Sequence, residues 1–172
     1  MTSGTAARAP FLVLLDVDST LIEDEVIELI ADYAGVTAEV TEVTERAMAG
    51  ELDFEESLRH RVALLEGVSA ADVASVVDRV VVTEGVPELV AGVHDAGGYI
   101  AAVSGGFHEI LDELGDRLGL DRWRANRFEI SDGKLTGRVS GPIIGREAKR
   151  ETLLEWAEEL GVDPSRTVAI GD

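Results

Sequence analysis

The chain has 172 residues, of which 45% are hydrophobic, enough for a packed core and too many for a disordered chain. Its 34 acidic and 15 basic residues give a net charge of −19, which argues against nucleic acid and anionic membranes as partners, because both bind clustered lysine and arginine. The absence of cysteine excludes disulfides and thiolate metal sites. Residues 1–10 carry no secretory signal, and the apolar run over 11–15 is too short to span a bilayer, so we expect a cytoplasmic location.

The first half of the chain is predicted to contain one strand followed only by helices. Residues 11–15 are continuously apolar, which is typical of a strand buried on both faces. Glycines and capping patterns then mark the ends of four helices, over residues 24–34, 37–49, 54–66 and 69–81. Because no strand separates these helices, we interpret residues 24–84 as a four-helix cap inserted into the core.

The second half of the chain alternates between helices and strands. The predicted elements are, in order, a helix from Pro87 to Gly97, a strand over 99–103, a helix over 107–118, a small β-hairpin over 126–131 and 134–139, a helix over 146–160 and a strand over 167–170. This alternation predicts an α/β fold with a Rossmann-like parallel sheet, built from residues 1–23 and 85–172.

Polar residues follow three of the predicted strands, at Asp16, Ser104 and Asp172. Ligands of open α/β sheets bind at the carboxyl ends of the strands, so we expect these side chains to meet at one site. Asp16 and Asp18 form a carboxylate pair that suits a metal, or a nucleophile with its acid/base partner. The same pair is also typical of a solvated turn. The continuation Ser19-Thr20-Leu21 after a buried strand favours the functional interpretation.

Four segments resemble the ordered motifs of the haloacid dehalogenase superfamily. They are Asp16-Val-Asp-Ser-Thr-Leu21, Val103-Ser-Gly-Gly-Phe107, Lys149 and Ile170-Gly-Asp172. Within that superfamily the chain is most similar to the phosphoserine phosphatases, which it also matches at Glu25 and over residues 48–61 and 132–137. A single motif would be weak support, but all of them occur in the right order from about residue 11 to the last residue.

The resemblance implies a covalent mechanism with a metal ion. Asp16 would be the nucleophile that forms an aspartyl-phosphate, and Asp18 the general acid/base. Mg²⁺ would be held by the carboxylates of Asp16 and Asp172 and by the backbone carbonyl of Asp18, an all-oxygen set that suits a hard cation. The ion would offset the repulsion between an anionic nucleophile and an anionic phosphate.

The phosphoryl oxygens would, by the same resemblance, be bound by Ser104, the Gly105 N–H and Lys149. Each of these residues has a simpler interpretation when it is considered alone. Lys149 lies among charged residues near the start of a predicted helix, as an ordinary surface lysine would. The Ser104-Gly-Gly segment could be only a tight strand-to-helix connection, although its glycines also leave backbone N–H groups open to an anion.

Substrate recognition is predicted to depend on Glu25 and Arg61. Both lie on apolar faces of predicted helices, where a long charged side chain is also explained by an aliphatic stem at the core margin. The resemblance implies instead that Arg61 binds the substrate carboxylate and Glu25 its ammonium group, with Met48 and Phe54 closing over the substrate. These last two residues would otherwise be ordinary core residues.

The predicted function is therefore Mg²⁺-dependent hydrolysis of O-phospho-L-serine to L-serine and phosphate, the last step of serine biosynthesis. The family's fourth motif continues beyond the position of Asp172, so we expect the C-terminal part of the core to be missing and the metal site to be incomplete. Three alternatives stay open: a phosphotransferase that passes the same phosphoryl group to an alcohol, another small-molecule phosphatase of the superfamily, and a non-catalytic fragment that binds a ligand or a partner. The oligomeric state is not predicted.

Overall fold

A five-stranded sheet forms the centre of the molecule in the computed structural model, which describes residues 9–171. The strand order is β4-β3-β2-β1-β5. The pairs β5–β1, β1–β2 and β2–β3 are parallel. Strand β4 runs antiparallel to β3. The strands are β1 (Leu12–Leu15), β2 (Tyr99–Phe107), β3 (Arg122–Ser131), β4 (Lys134–Ser140) and β5 (Thr167–Ile170).

Helices cover both faces of this sheet. Val13 and Leu15 belong to the larger apolar cluster, which continues into α5, α6 and the helices that follow β1. Leu12 and Leu14 point to the other face, where they pack with Trp156 of α7. This alternation along β1 explains its uniformly apolar sequence. The α-helices are α1 (Val26–Ala34), α2 (Thr37–Met48), α3 (Phe54–Ala63), α4 (Ala70–Ser75), α5 (Val86–Asp95), α6 (His108–Leu118) and α7 (Arg146–Glu159).

The predicted α/β fold is confirmed, and the structure changes three of its details. Strand β2 does not end at Val103 but continues to Phe107, with an irregular register between these two residues. The hairpin is not a separate unit, because β3 begins at Arg122 and pairs with β2, which makes the sheet mixed. The fourth helix ends at Ser75 and is followed by one 3₁₀ turn, Val76–Asp78.

Four helices, α1 to α4, lie in sequence between β1 and α5, as expected for residues 24–84. The segments that enter and leave this region pair with each other through an isolated antiparallel bridge between Ile22 and Val82. A second bridge joins Ser69 to Lys134 at the start of β4. The division of the chain into a core and a cap stays a prediction.

None of the helices between residues 9 and 171 combines the length and the apolar character needed to cross a bilayer. The cytoplasmic location stays a prediction.

Candidate active site

Asp16 lies directly after β1, at the carboxyl edge of the sheet. Its backbone N–H donates to the Ile170 carbonyl of β5 at 2.8 Å, which continues the parallel ladder by one residue. Its Oδ1 accepts a hydrogen bond from the Val17 N–H at 2.8 Å. The Nζ of Lys149, from the first turns of α7, donates to its Oδ2. The structure therefore places the predicted nucleophile beside the predicted phosphate-binding lysine, 133 residues apart in sequence.

Asp18 lies in the turn Val17–Leu21 that follows Asp16, and its own backbone there is extended, with φ −58° and ψ 134°. Its Oδ1 accepts from the Val26 N–H at 2.9 Å, which caps the first turn of α1, and its Oδ2 accepts from Ser104 Oγ at 3.2 Å. Burial raises the pKa of this carboxyl above its usual range, although the two hydrogen bonds oppose the shift. A carboxyl with a raised pKa can hold a proton closer to neutral pH, which suits a general acid.

The glycine pair at the end of β2 is needed because other groups approach its backbone closely. A Cβ at Gly106 would lie 2.9 Å from Ser104 Oγ and 3.0 Å from Asp18 Oδ2. A Cβ at Gly105 would lie 2.8 Å from the ring of Phe54. The backbone of this pair is thus exposed to the site between the predicted acid and the helical region.

Arg61 and Glu25 face the same site from the helices. Burial lowers the pKa of the Arg61 guanidinium, and the nearby charges of Glu25, Asp18 and Glu28 oppose this shift. An arginine stays protonated under such a shift, so the site holds a partly buried positive charge. Glu25 accepts a hydrogen bond from Ser19 Oγ at 2.7 Å.

These groups line one cavity of about 180 Å³. Seven of the ten residues predicted from the sequence lie around it: Asp16, Asp18, Glu25, Phe54, Arg61, Gly105 and Lys149. Four further residues line the cavity but were not predicted as site residues, although Gly106 and Phe107 belong to the second motif: Ile27, Leu58, Gly106 and Phe107. Leu58 lies four residues after Phe54 and three before Arg61, so their common helical face was a usable signal.

The three remaining predicted residues have different positions. Ser104 is buried behind the cavity wall and reaches the site through its hydrogen bond to Asp18. Met48 is 85% exposed at the end of α2, and the described cavity lining does not include it. Asp172 lies outside the described residues.

A magnesium ion at this site would be held by the oxygen atoms around Asp16. The carboxylate of Asp16 and the backbone carbonyl of Asp18 are hard ligands of the kind that Mg²⁺ prefers. Between residues 9 and 171, no group of three or more acidic, histidine or cysteine side chains is placed to hold a metal ion. The second predicted carboxylate, that of Asp172, lies outside the described residues. The described donors, the Asp16 carboxylate and the Asp18 carbonyl, have the chemistry that a hard cation requires.

Comparison with known proteins identifies the family. Residues 13–172 match the family model described as haloacid dehalogenase-like hydrolase. The chain is 51% identical over its whole length to a phosphoserine phosphatase of Streptomyces coelicolor, of which it covers 42%. It is 46% identical over 94% of its length to a phosphoserine phosphatase of Streptococcus thermophilus, of which it covers 75%.

Solved structures agree with this result. A structure described as a phospho-aspartyl intermediate analogue of phosphoserine phosphatase superposes with a TM-score of 0.90 at 42% identity, over 96% of this chain and 79% of that one. A substrate-bound phosphoserine phosphatase complex gives a TM-score of 0.90 at 41% identity, over the same shares. The chain therefore belongs to the haloacid dehalogenase-like hydrolases and, within them, to the phosphoserine phosphatase family.

Proposed function

We propose that this chain hydrolyses O-phospho-L-serine to L-serine and inorganic phosphate through an aspartyl-phosphate on Asp16. The observation that carries the proposal is the arrangement of charged groups on the two sides of one cavity. The Asp16–Lys149 pair lies on the sheet side, and Arg61 with Glu25 lies on the helical side. A phosphomonoester that also carries a carboxylate and an ammonium group matches both sides. Its phosphoryl group would face the Asp16–Lys149 pair, its carboxylate Arg61 and its ammonium group Glu25. The names of the relatives, and the intermediate analogue and substrate complex among the solved structures, support the same assignment.

The reaction proceeds in two displacements at phosphorus. The Asp16 carboxylate attacks, the bond between phosphorus and the serine oxygen breaks, and Asp18 gives its proton to the departing alkoxide. The Asp18 carboxylate then takes a proton from a water molecule, whose oxygen attacks the phosphorus of the aspartyl-phosphate. Phosphate leaves and Asp16 is regenerated. The partly buried position of Asp18 supports this role, because desolvation raises the pKa of its carboxyl and so favours the protonated form needed in the first step.

The phosphoryl group is bound by Ser104, the Gly105 N–H and Lys149. Positioning and charge stabilisation provide most of the catalysis in phosphoryl transfer. The contact between Lys149 and Asp16 places a positive charge beside the nucleophile for both purposes. Phosphatases of this family generally depend on Mg²⁺. We assign its ligands to Asp16, the Asp18 carbonyl and Asp172, where the bound ion would offset the repulsion between nucleophile and phosphate.

The substrate carboxylate is bound by Arg61 and its ammonium group by Glu25. Arginine is suited to this role because its planar fork matches a carboxylate with two parallel hydrogen bonds. Phe54 covers Gly105, and we propose that movement within residues 24–84 brings Met48 over the same opening. Closure excludes water from the first displacement.

The test measures phosphate release from L-phosphoserine with Mg²⁺ for the wild-type chain and for Arg61→Ala. Loss of a buried, charge-assisted contact is worth about 2 to 4 kcal/mol, so kcat/KM is expected to fall by about 30- to 1,000-fold. Arg59→Ala is the matched control, because Arg59 lies on the same helix, is more than half exposed and pairs with Glu55. It is expected to keep kcat/KM within about twofold.

Two results would contradict the proposal. Equal turnover in Arg61→Ala and wild type would remove the substrate assignment, and the absence of phosphate release from the wild-type chain would remove the activity. A variant with Asp16→Asn gives the background rate. An added alcohol acceptor tests whether phosphate release falls in favour of a phosphorylated alcohol.

A further inference from the structure

Asn126 is a buried amide that connects two parts of the site. It lies in the middle of β3 with 1% of its surface exposed, and it is one of the few buried polar side chains in the described chain. Its Nδ2 donates to the Gly105 carbonyl at 2.8 Å, and its Oδ1 accepts from the Ile144 N–H at 2.8 Å. The two partners fix the orientation of the amide, since a flipped amide would face donor to donor and acceptor to acceptor.

The first contact controls the glycine pair. The Gly105 carbonyl and the Gly106 N–H belong to one planar peptide group and point in opposite directions. Asn126 holds the carbonyl side, while the Gly106 N–H donates to Ser104 Oγ at 2.7 Å. Ser104 in turn donates to Asp18 Oδ2 at 3.2 Å. Glycine has the freest backbone of all residues, so these contacts at the two edges are what define the orientation of this peptide group.

The second contact controls the start of α7. Ile144 is buried and directly precedes Gly145, the residue at the N-terminal cap of this helix. The Lys149 N–H donates to the Gly145 carbonyl at 3.0 Å, which begins the helical hydrogen-bond ladder that carries the Lys149 side chain towards Asp16. A shift of Ile144 would therefore shift the lysine.

We infer that Asn126 is a positioning residue for phosphoryl transfer: its amide sets the Gly105–Gly106 peptide at a fixed distance from the helix that carries Lys149. The inference rests on the proposed function, which assigns phosphate binding to Lys149 and to the N–H of Gly105, the residue whose carbonyl Asn126 holds. Asn126 itself lines no part of the cavity in the described structure and touches no substrate. Its contribution is to hold both phosphate-binding groups in place before the substrate arrives, which lowers the reorganisation needed at the transition state.

A purely stabilising role is the competing interpretation, and Thr152 provides a matched control for it. Thr152 is also 1% exposed, and its Oγ1 accepts from the Arg124 guanidinium at 2.9 Å, so it likewise ties β3 to α7. It makes no contact with the glycine pair or with residue 144 among its hydrogen bonds in the described chain. Thr152→Val removes a buried hydrogen bond at constant shape, away from the phosphate-binding groups.

The experiment compares Asn126→Asp, Asn126→Ala and Thr152→Val by thermal unfolding and by steady-state kinetics with L-phosphoserine. Asn126→Asp keeps an acceptor for Ile144 but turns an oxygen towards the Gly105 carbonyl. We expect kcat to fall by about 10- to 100-fold in both Asn126 variants, the range for a small misplacement of catalytic groups. KM should change less than kcat, because Arg61 and Glu25 lie on other elements. Thr152→Val should lose stability while kcat stays within about twofold.

Amide hydrogen exchange gives a readout that does not depend on turnover. Exchange at Gly106 and at Lys149 is expected to rise in Asn126→Ala and to stay near the wild-type rate at Gly106 in Thr152→Val. Unchanged exchange at Gly106 in Asn126→Ala would overturn the inference, as would equal kcat in the Asn126 and Thr152 variants at similar stability. A wild-type chain without activity would instead overturn the proposed function, and exchange would still decide the role of Asn126.

Discussion

Ser19 adopts a backbone conformation that is unusual for its residue type. Its φ of 54° lies in the left-handed region, which costs a residue with a Cβ about 1 kcal/mol. The same residue donates its hydroxyl to Glu25 Oε1 at 2.7 Å. The sequence pointed to Asp16 and Glu25 through strand ends and helical spacing. It could not show the hydrogen bond between Ser19 and Glu25. That bond forms because the turn brings two residues six positions apart into contact.

We expect the hydroxyl of Ser19 to orient Glu25 for the substrate ammonium group. Ser19→Ala removes the hydroxyl and keeps the backbone strain, whereas Ser19→Gly removes both. Both variants should lower the preference for phosphoserine over a phosphomonoester without an amino group by about five- to tenfold, the value of one hydrogen bond to a charged group. The glycine variant should be the more stable of the two by about 1 kcal/mol.

The ratio of kcat/KM for the two substrates and the free energy of unfolding in urea check this prediction. An unchanged substrate ratio in both variants would show that Glu25 is oriented without Ser19. A ratio that falls only in the glycine variant would show that the restrained backbone at Ser19, and not its hydroxyl, orients Glu25.

At the scale of elements, the sequence predicted strands well where the apolar pattern is continuous. It missed residues 122–125 of β3, which contain two arginines. Arg124 is neutralised by a paired contact with Glu155 of α7, and Arg122 by Glu159 of the same helix. Local sequence cannot show such partners, since they lie about 30 residues away. The extension of β2 to Phe107 has a similar cause, because it depends on pairing with Asn126 of β3.

Glu109 joins α6 to β3 and is expected to make stability depend on pH. Its Oε1 accepts from the Phe128 N–H at 3.2 Å, while its Oε2 is buried without a hydrogen-bond partner. Burial is the main cause of the raised pKa of this carboxyl. The folded state therefore favours the protonated form, so the stability that Glu109 contributes is present below its ordinary pKa of 4.5 and is lost as the pH rises through the higher folded value.

Glu109→Gln should remove this loss of folding stability at higher pH, because glutamine carries no ionisable group. At pH 7 the variant is expected to be more stable than wild type by about 0.5 kcal/mol, a small value because the side chain is only partly buried and its charge is screened. At pH 4 the two proteins should unfold at the same urea concentration. Glu113→Gln, on the exposed side of the same helix, is the control, because it removes an exposed carboxylate paired with Arg117 and not a buried one. A Glu109→Gln advantage that is equal at pH 4 and pH 7 would contradict the assignment.

At the scale of the whole molecule, backbone hydrogen bonds attach the helical region to the sheet region at two places among residues 9–171. The entering and leaving segments share backbone hydrogen bonds of 2.9 Å and 3.0 Å, between Glu23 and Val81 and between Thr83 and Leu21. The loop before α4 adds three bonds of 2.9 Å to the β-hairpin, among them the Gly67 N–H to the Leu135 carbonyl. Helical periodicity identified the helices but not these attachments, which require the hairpin to lie beside them.

The attachments limit how the site can close. The turn between α2 and α3, which precedes Phe54, makes none of these backbone bonds in the described chain and is largely exposed. We therefore expect closure to involve the α2–α3 end, while the loop before α4 stays on the hairpin. The pair Ser69–Lys134 tests this, because antiparallel partners have Cα atoms about 4.5 to 5.5 Å apart, within the range of a disulfide.

A chain with Ser69→Cys and Lys134→Cys would contain no other cysteine, so oxidation can form only this disulfide within one molecule. The oxidised protein is expected to keep kcat and KM for phosphoserine within about twofold of the reduced protein, because a contact that does not open during turnover can be made covalent without effect. The two single-cysteine variants control for the substitutions themselves. If oxidation abolished turnover and a reductant restored it, the loop before α4 would have to leave the hairpin in each cycle. Residues 24–84 would then move as one body about the paired entering and leaving segments, which would be the one attachment that persists.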